Sequence, residues 1–155
     1  MKTHRDRSRR TDRRGQALVE FSLALVPFLL ILMGIFDLGR GIYMSNGVSQ
    51  AAREIARTTA VHPCNTGSCT LGNSAETAAT IAVQKNLIPG FGAPSSTITY
   101  TCTSISDVTV IPLSGACPSG DYVKVTITVA YQAITPLLSM VAPSTLTSTA
   151  HIQVP

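Results

Sequence analysis

The chain has 155 residues, 45% of them hydrophobic and 13% charged, which suits one ordinary domain and is too apolar for an intrinsically disordered chain. Its formal net charge is +4, and the basic excess is confined to the N-terminal tail. There Lys2, Arg5, Arg7, Arg9, Arg10, Arg13 and Arg14 stand against only Asp6 and Asp12, so the remainder is near neutral and is not built to bind nucleic acid.

In chain order, the tail MKTHRDRSRRTDRR has no aromatic or branched aliphatic residue and is expected to be disordered or removed. Next comes ALVEFSLALVPFLLILMGIF, about residues 17–36, with Glu20 as its single charge. At about 1.5 Å per residue, a helix of that length matches a hydrocarbon core of about 30 Å. Basic residues before it place the N-terminus in the cytoplasm and the rest of the chain outside, in contact with membrane lipid along this stretch.

Beyond Phe36, Leu38, Ile42, Ser45, Val48, Ala52, Ile55 and Thr59 recur at spacings of three and four, so one helix is expected from Gln16 to about Ala60, with Pro27 as a place to bend. Pro63 and the turn-forming CNTGSC stretch end it. A short second helix follows, with Asn73 as cap, Glu76 in a capping-box position and Pro89-Gly90 as the stop.

Strand patterns then alternate. Ile98, Tyr100 and Cys102 form one, Val108 and Val110 a shorter one, Val123 to Tyr131 a third and Leu146 to Val154 a fourth. Each puts aliphatics on one face and Thr, Ser or Lys on the other. The expected fold class is therefore α+β, with an antiparallel sheet of about four strands whose buried face lies under the second helix or the C-terminal half of the first. The organisation reads as a basic leader, 1–15; a helix, 16–62; and an extracytoplasmic head, 63–155.

Four cysteines, Cys64, Cys69, Cys102 and Cys117, lie on the side expected to be oxidising. Spacing leaves three pairings open, of which Cys64 with Cys69 and Cys102 with Cys117 is preferred. A zinc set of His62, Cys64 and Cys69 lacks a fourth ligand nearby, so no metal or other cofactor is expected. Gly39-Arg40-Gly41 falls short of a nucleotide-binding loop because Met44 stands at the third glycine position. The head has few carboxylates, one histidine and no nucleophile motif, so catalysis is not expected.

The apolar run is poorly explained as a secretion signal, since no small-x-small cleavage site closes it and the helix pattern continues past it. The residues after Arg13-Arg14 do not continue as a twin-arginine signal. A plain tether does not explain Glu20, because a carboxylate in hydrocarbon costs about 2.5–3.5 kcal/mol on insertion scales. If the chain were cut after Gly15, the new amino terminus at Gln16 would lie one helical turn from Glu20, on the same face.

Gly15 followed by Gln16, Glu20 and Phe21 resembles the processing site of type IVb prepilins. The wider set of Arg14-Gly15, Val19-Glu20-Phe21, Pro27, Gly34-Ile35, Asp37, Gly39-Arg40 and AAREIAR at residues 51–57 resembles the TadE family, minor pseudopilins of the tight-adherence (Flp) pilus machinery. Ile55 stands where that family commonly has Gly, and Asp37 where Glu is commoner.

The resemblance implies cleavage after Gly15 by a prepilin peptidase and a role in pilus assembly or priming. It also implies partnership with other pilins or pseudopilins through the N-terminal helix, and with an inner-membrane assembly platform. The product would be a single-pass membrane protein with its C-terminal domain outside, at the cell surface or in a pilus. The alternative reading is a membrane-anchored extracellular binding module whose helix is only a tether.

Overall fold

In the computed structural model, residues 6–64, 70–106, 108–110, 115–135, 139 and 143–155 are described. Residues 1–5 and Cys69 lie outside this set. A single helix, α1, spans Asp6–Val61, with Pro27 inside it. Its start corrects the expectation of a disordered tail, since residues 6–14 are helical. Extending a nucleated helix adds one hydrogen bond per residue fixed and needs no apolar burial. Arg is a good helix former, and the tail contains neither Gly nor Pro.

The chain divides into two units, Met1–Gly39 and Arg40–Pro155. In the first, the side chains described from Gly15 to Phe36 are exposed except the half-buried Gly34, and they include Leu18, Phe21, Phe28 and Phe36. The Gly15–Val61 stretch is long and apolar enough to cross a membrane, consistent with a single membrane pass.

In the second unit the C-terminal part of α1 meets a sheet. Helix α2 spans Ala75–Leu87, and four strands follow: β1 Thr97–Thr103, β2 Thr109–Val110, β3 Tyr122–Ala130 and β4 Thr145–Gln153. The sheet is antiparallel with order β2-β1-β3-β4. Three strands are full length and β2 is a two-residue stub. The exposed Val108, expected in that strand, precedes it.

The alternation in β3 decides which face is buried. Val123, Val125, Ile127 and Val129 are fully buried, while the residues between them are half-exposed. Burying each such side chain stabilises by about 1.5–3 kcal/mol.

Against this face lies the helix stripe Met44, Val48, Ala51, Ala52, Ile55, Ala56, Thr59 and Ala60. The four alanines leave room for a close approach to the sheet. Of the two covers expected from sequence, it is therefore the long helix that lies on the sheet, and α2 buries only Thr77. The buried stripe differs in part from the expected one, because Leu38, Ile42 and Ser45 are exposed and Met44 is buried. Near residue 40 the helix carries apolar groups on several sides, so spacing does not single out one face.

Helix α2 sits beside α1 through hydroxyl contacts, with Thr59 Oγ1 3.4 Å from Thr77 Oγ1 and Thr58 Oγ1 3.4 Å from Thr80 Oγ1. Its cap is Ser74, whose Oγ accepts from the Thr77 N–H at 3.0 Å. This corrects the assignment of Asn73. The cap falls one residue later, which puts Thr77, not Glu76, at the third helical position. The helix ends at Leu87, and the Pro89-Gly90 turn carries Phe91 into the core. Gly90 there has φ +82° and a virtual Cβ 3.2 Å from the Ala130 carbonyl, so a side chain would be both strained and crowded.

Cys102 and Cys117 are joined by a disulfide, with Cα atoms 5.5 Å apart, across the loop that carries β2. Cys64 is also disulfide-bonded. Its preferred partner, Cys69, is outside the described residues. A bridged Cys64 has no free thiolate to offer the zinc set weighed above.

Candidate processing and anchoring segment

The residues singled out at the N-terminus share one stretch of α1. Gln16 Nε2 donates to Glu20 Oε1 at 3.0 Å, the i,i+4 contact expected on one helix face. Two residues on, Ser22 Oγ donates to the Leu18 carbonyl at 2.8 Å. Gly15, Gln16, Glu20 and Phe21 are all exposed, so the segment is open to another molecule. An open apolar groove lined by Leu18, Val19, Ser22, Leu23, Val26 and Pro27 lies alongside.

Four glycines of α1 fall into two kinds. At Gly41 a virtual Cβ stands 3.2 Å from the Tyr131 hydroxyl oxygen, and at Gly47 it stands 3.3 Å from Ile88 Cγ1, so packing accounts for both. At Gly15 and Gly39 a Cβ meets nothing within 4 Å. A glycine inside a helix costs about 1 kcal/mol relative to alanine. Among the described residues no packing offsets that cost at Gly15 or at Gly39.

Arg40 is the first residue of the second unit. Its Nη1 donates to the Gln132 carbonyl at 3.0 Å, and its guanidinium carbon stands 5.8 Å from the centroid of the Tyr131 ring. Together Arg40 and Gly41 hold the segment leaving β3 against the helix. Sequence reasoning matched Gly39-Arg40 only as a motif and missed this role. The pairing spans 92 positions in sequence, and no local pattern reports it.

With the geometry in place, comparison with known proteins adds one positive finding: residues 15–57 match the model of the family described as TadE-like protein. This part of the chain is TadE-like. The match starts at Gly15 and ends at Arg57, so it takes in the exposed apolar stretch together with most of the helix stripe that lies on the sheet. No curated protein and no solved structure matches the chain. The strands and α2 therefore rest on their own geometry.

Proposed function

We propose that this TadE-like protein is a pilus-associated pseudopilin of the tight-adherence type. In this reading the protein is structural rather than catalytic. It is cleaved after Gly15 by a prepilin peptidase and acts in assembly or priming through its N-terminal helix. Gly15, Gln16, Glu20 and Phe21 form the processing site. The basic leader stays in the cytoplasm and the domain beyond the helix lies outside.

The observation that carries the reading is the family match beginning at Gly15, a helical glycine that packing within the chain does not require. A peptidase that must bring its catalytic groups to the backbone after Gly15 would exclude a larger side chain there. The Gly15–Phe21 stretch is exposed, and since the bond after Gly15 lies inside α1, cutting requires the helix to open there. Glu20 supplies the charge that a new amino terminus at Gln16 would need in a low-dielectric bundle.

The test is the intact mass of the protein recovered from membranes in a host that carries the peptidase. The expected mass is that of a chain beginning at Gln16, and Gly15→Val should accumulate uncut. A full-length mass for the unsubstituted protein, or normal cutting of Gly15→Val, overturns the processing role.

A further inference from the structure

Three pieces of chain meet at one end of the second unit. The Tyr131 N–H donates to the Ser144 carbonyl, so the connection from β3 to β4 leaves and returns there. Arg40 Nη1 donates to the Gln132 carbonyl at 3.0 Å, and a Cβ on Gly41 would stand 3.2 Å from the Tyr131 hydroxyl oxygen. The turn after α2 joins them, since a Cβ on Gly90 would lie 3.2 Å from the Ala130 carbonyl oxygen and 3.8 Å from Met44 Cε.

Neither connection has a charged residue in its sequence. Residues 88–96 read IPGFGAPSS and residues 131–144 read YQAITPLLSMVAPS. Within the four strands the only Lys, Arg, Asp or Glu is Lys124. It stands six residues before Ala130, about 20 Å of strand away from this end. What the end displays is apolar or aromatic, with Ile134 76% exposed, Tyr43 64% and Ile42 55%. The nearest charges displayed are both cations, Arg40 and, in the last turn of α2, Lys85, while Asp37 is buried.

Single exposed apolar residues are ordinary on a surface. An end without displayed carboxylates, where a guanidinium lies over a tyrosine ring, is matched to the boundary between lipid and water. The position along α1 agrees. The apolar run ends at Phe36, and Arg40 follows four helical residues later, a rise of about 6 Å. A headgroup layer is about 5–7 Å thick on each side of the hydrocarbon. Ile134 lies two residues beyond the Gln132 that Arg40 holds, a reach of about 7 Å at most.

We propose that this end of the head rests on the membrane that α1 crosses, with Ile134 seated where headgroups meet acyl chains. The proposal depends on the reading of the apolar stretch of α1 as a membrane span. Lipid is the occupant because the bilayer is continuous with the helix that enters this end, and because the displayed cations match lipid phosphates. Since α1 already holds the head at the bilayer, the contact needs no affinity of its own.

The chain has no tryptophan, so a single introduced one reports on its own surroundings. Full-length protein is placed in phosphatidylcholine vesicles, either plain or brominated on the acyl chains near the headgroup, and emission is compared. Phe28→Trp marks the span and Ile134→Trp the contact. Ile105→Trp, at a site 85% exposed, follows the β1 residue that pairs with Tyr122 and so marks the far end of the sheet. Ile134→Trp should emit to the blue of Ile105→Trp and lose emission to the bromines, as Phe28→Trp does. Ile105→Trp should do neither.

An Ile134→Trp emission as unquenched as that of Ile105→Trp, beside a quenched Phe28→Trp, overturns the proposal and leaves the span standing. Blue-shifted but unquenched emission from Ile134→Trp means that protein covers this end, which overturns it as well. An unquenched Phe28→Trp removes the span and the proposal with it. Should Ile134→Trp lose its near-ultraviolet circular dichroism, a nitroxide on Ile134→Cys decides. Oxygen should reach it in preference to a water-soluble nickel chelate, by a ratio above that for the same label on Ile105→Cys, and equal ratios overturn the proposal.

Discussion

Arg40 and Tyr131 form a cation–π contact of 5.8 Å, and Arg40 also donates to the Gln132 carbonyl at 3.0 Å, so one side chain fixes the end of β3 to the helix. An exposed contact of this kind contributes about 0.5–1 kcal/mol, and a hydrogen bond to a charged group about 1.5–3 kcal/mol before screening by solvent. We expect Arg40→Ala to lower stability by about 1–2 kcal/mol. Gly41→Val, which drives a side chain toward the Tyr131 hydroxyl, should lower it further. Thermal unfolding of the full-length protein in detergent checks both, and a Gly41→Val protein as stable as the unsubstituted one would contradict the packing role.

Glu20 separates assembly from anchoring. A helix that is only a tether becomes more apolar with Glu20→Leu and should hold the membrane at least as well with no loss of function. In a pseudopilin the change removes the partner of an N-terminal amine. The expected result is a protein that is still cut after Gly15 and still membrane-inserted, in cells that fail to assemble pili. Electron microscopy of a strain expressing the variant at ordinary levels is the measurement, and normal piliation refutes the assignment.

The Cys102–Cys117 bridge closes a separation of 15 residues, which contributes about 3 kcal/mol in the chain-entropy picture. Replacing both cysteines by serine should lower the unfolding free energy by that order. It should leave far-ultraviolet helix content in place, because the bridge joins β1 to the β1–β3 connection and neither cysteine is on α1. Thiol labelling of unreduced, denatured protein should modify neither Cys102 nor Cys117.

Tyr100 gives a pH-dependent handle. Its ring lies under Gly72, where a Cβ would come within 2.6 Å of it. Among the described residues its buried hydroxyl has no hydrogen-bond partner. Burial raises its pKa from the usual 10.0 to about 12. The folded state thus holds this proton when the unfolded chain has begun to lose it. The associated stability is fully present below pH 10 and is lost as the pH rises toward 12. Denaturant titrations between those limits should show a steeper decline for the unsubstituted protein than for Tyr100→Phe, which loses an unpartnered hydroxyl and should be at least as stable at neutral pH.

Gly72, at φ +82°, is strained by any side chain, and an added Cβ would also clash with the Tyr100 ring. Gly72→Ala should cost about 1–3 kcal/mol, whereas Gly92→Ala, where a Cβ meets nothing within 4 Å, should be close to neutral. Equal melting temperatures for the two variants would show that the turn adapts.

Periodicity made some parts of this fold legible. The two-residue alternation from Val123 to Val129 gives β3 and its buried face directly, because a half-buried strand writes its environment into every second residue, but it does not say which strands lie beside it. The helix from Gln16 to Ala60 was equally plain. Its extension back to Asp6 was not, because hydrophobic patterning is silent where the sequence has no aromatic or branched aliphatic residue. The choice of Ser74 over Asn73 turns on one hydroxyl reaching one N–H, and both residues are good caps. Of the candidate site, spacing gave only the Gln16–Glu20 relation on one helix face, and Gly15 and Phe21 were singled out by the resemblance. Whether Gly15 serves packing could be judged only once the space around it was seen, and the same holds for the Arg40–Tyr131 pair.

Because the stripe from Met44 to Ala60 supplies one wall of the core that Val123, Val125, Ile127 and Val129 fill from the other side, the domain has no clean seam at residue 63. A fragment starting there would present the whole inner sheet face to water. Exchange of heads between related chains can therefore succeed only if the crossover falls upstream of this stripe, near Arg40, so that helix and sheet are inherited together. Helix residues in this stretch face solvent on one side and the valines of β3 on the other. Substitutions in the stripe should then be matched by substitutions in β3, and the two segments should drift as a pair.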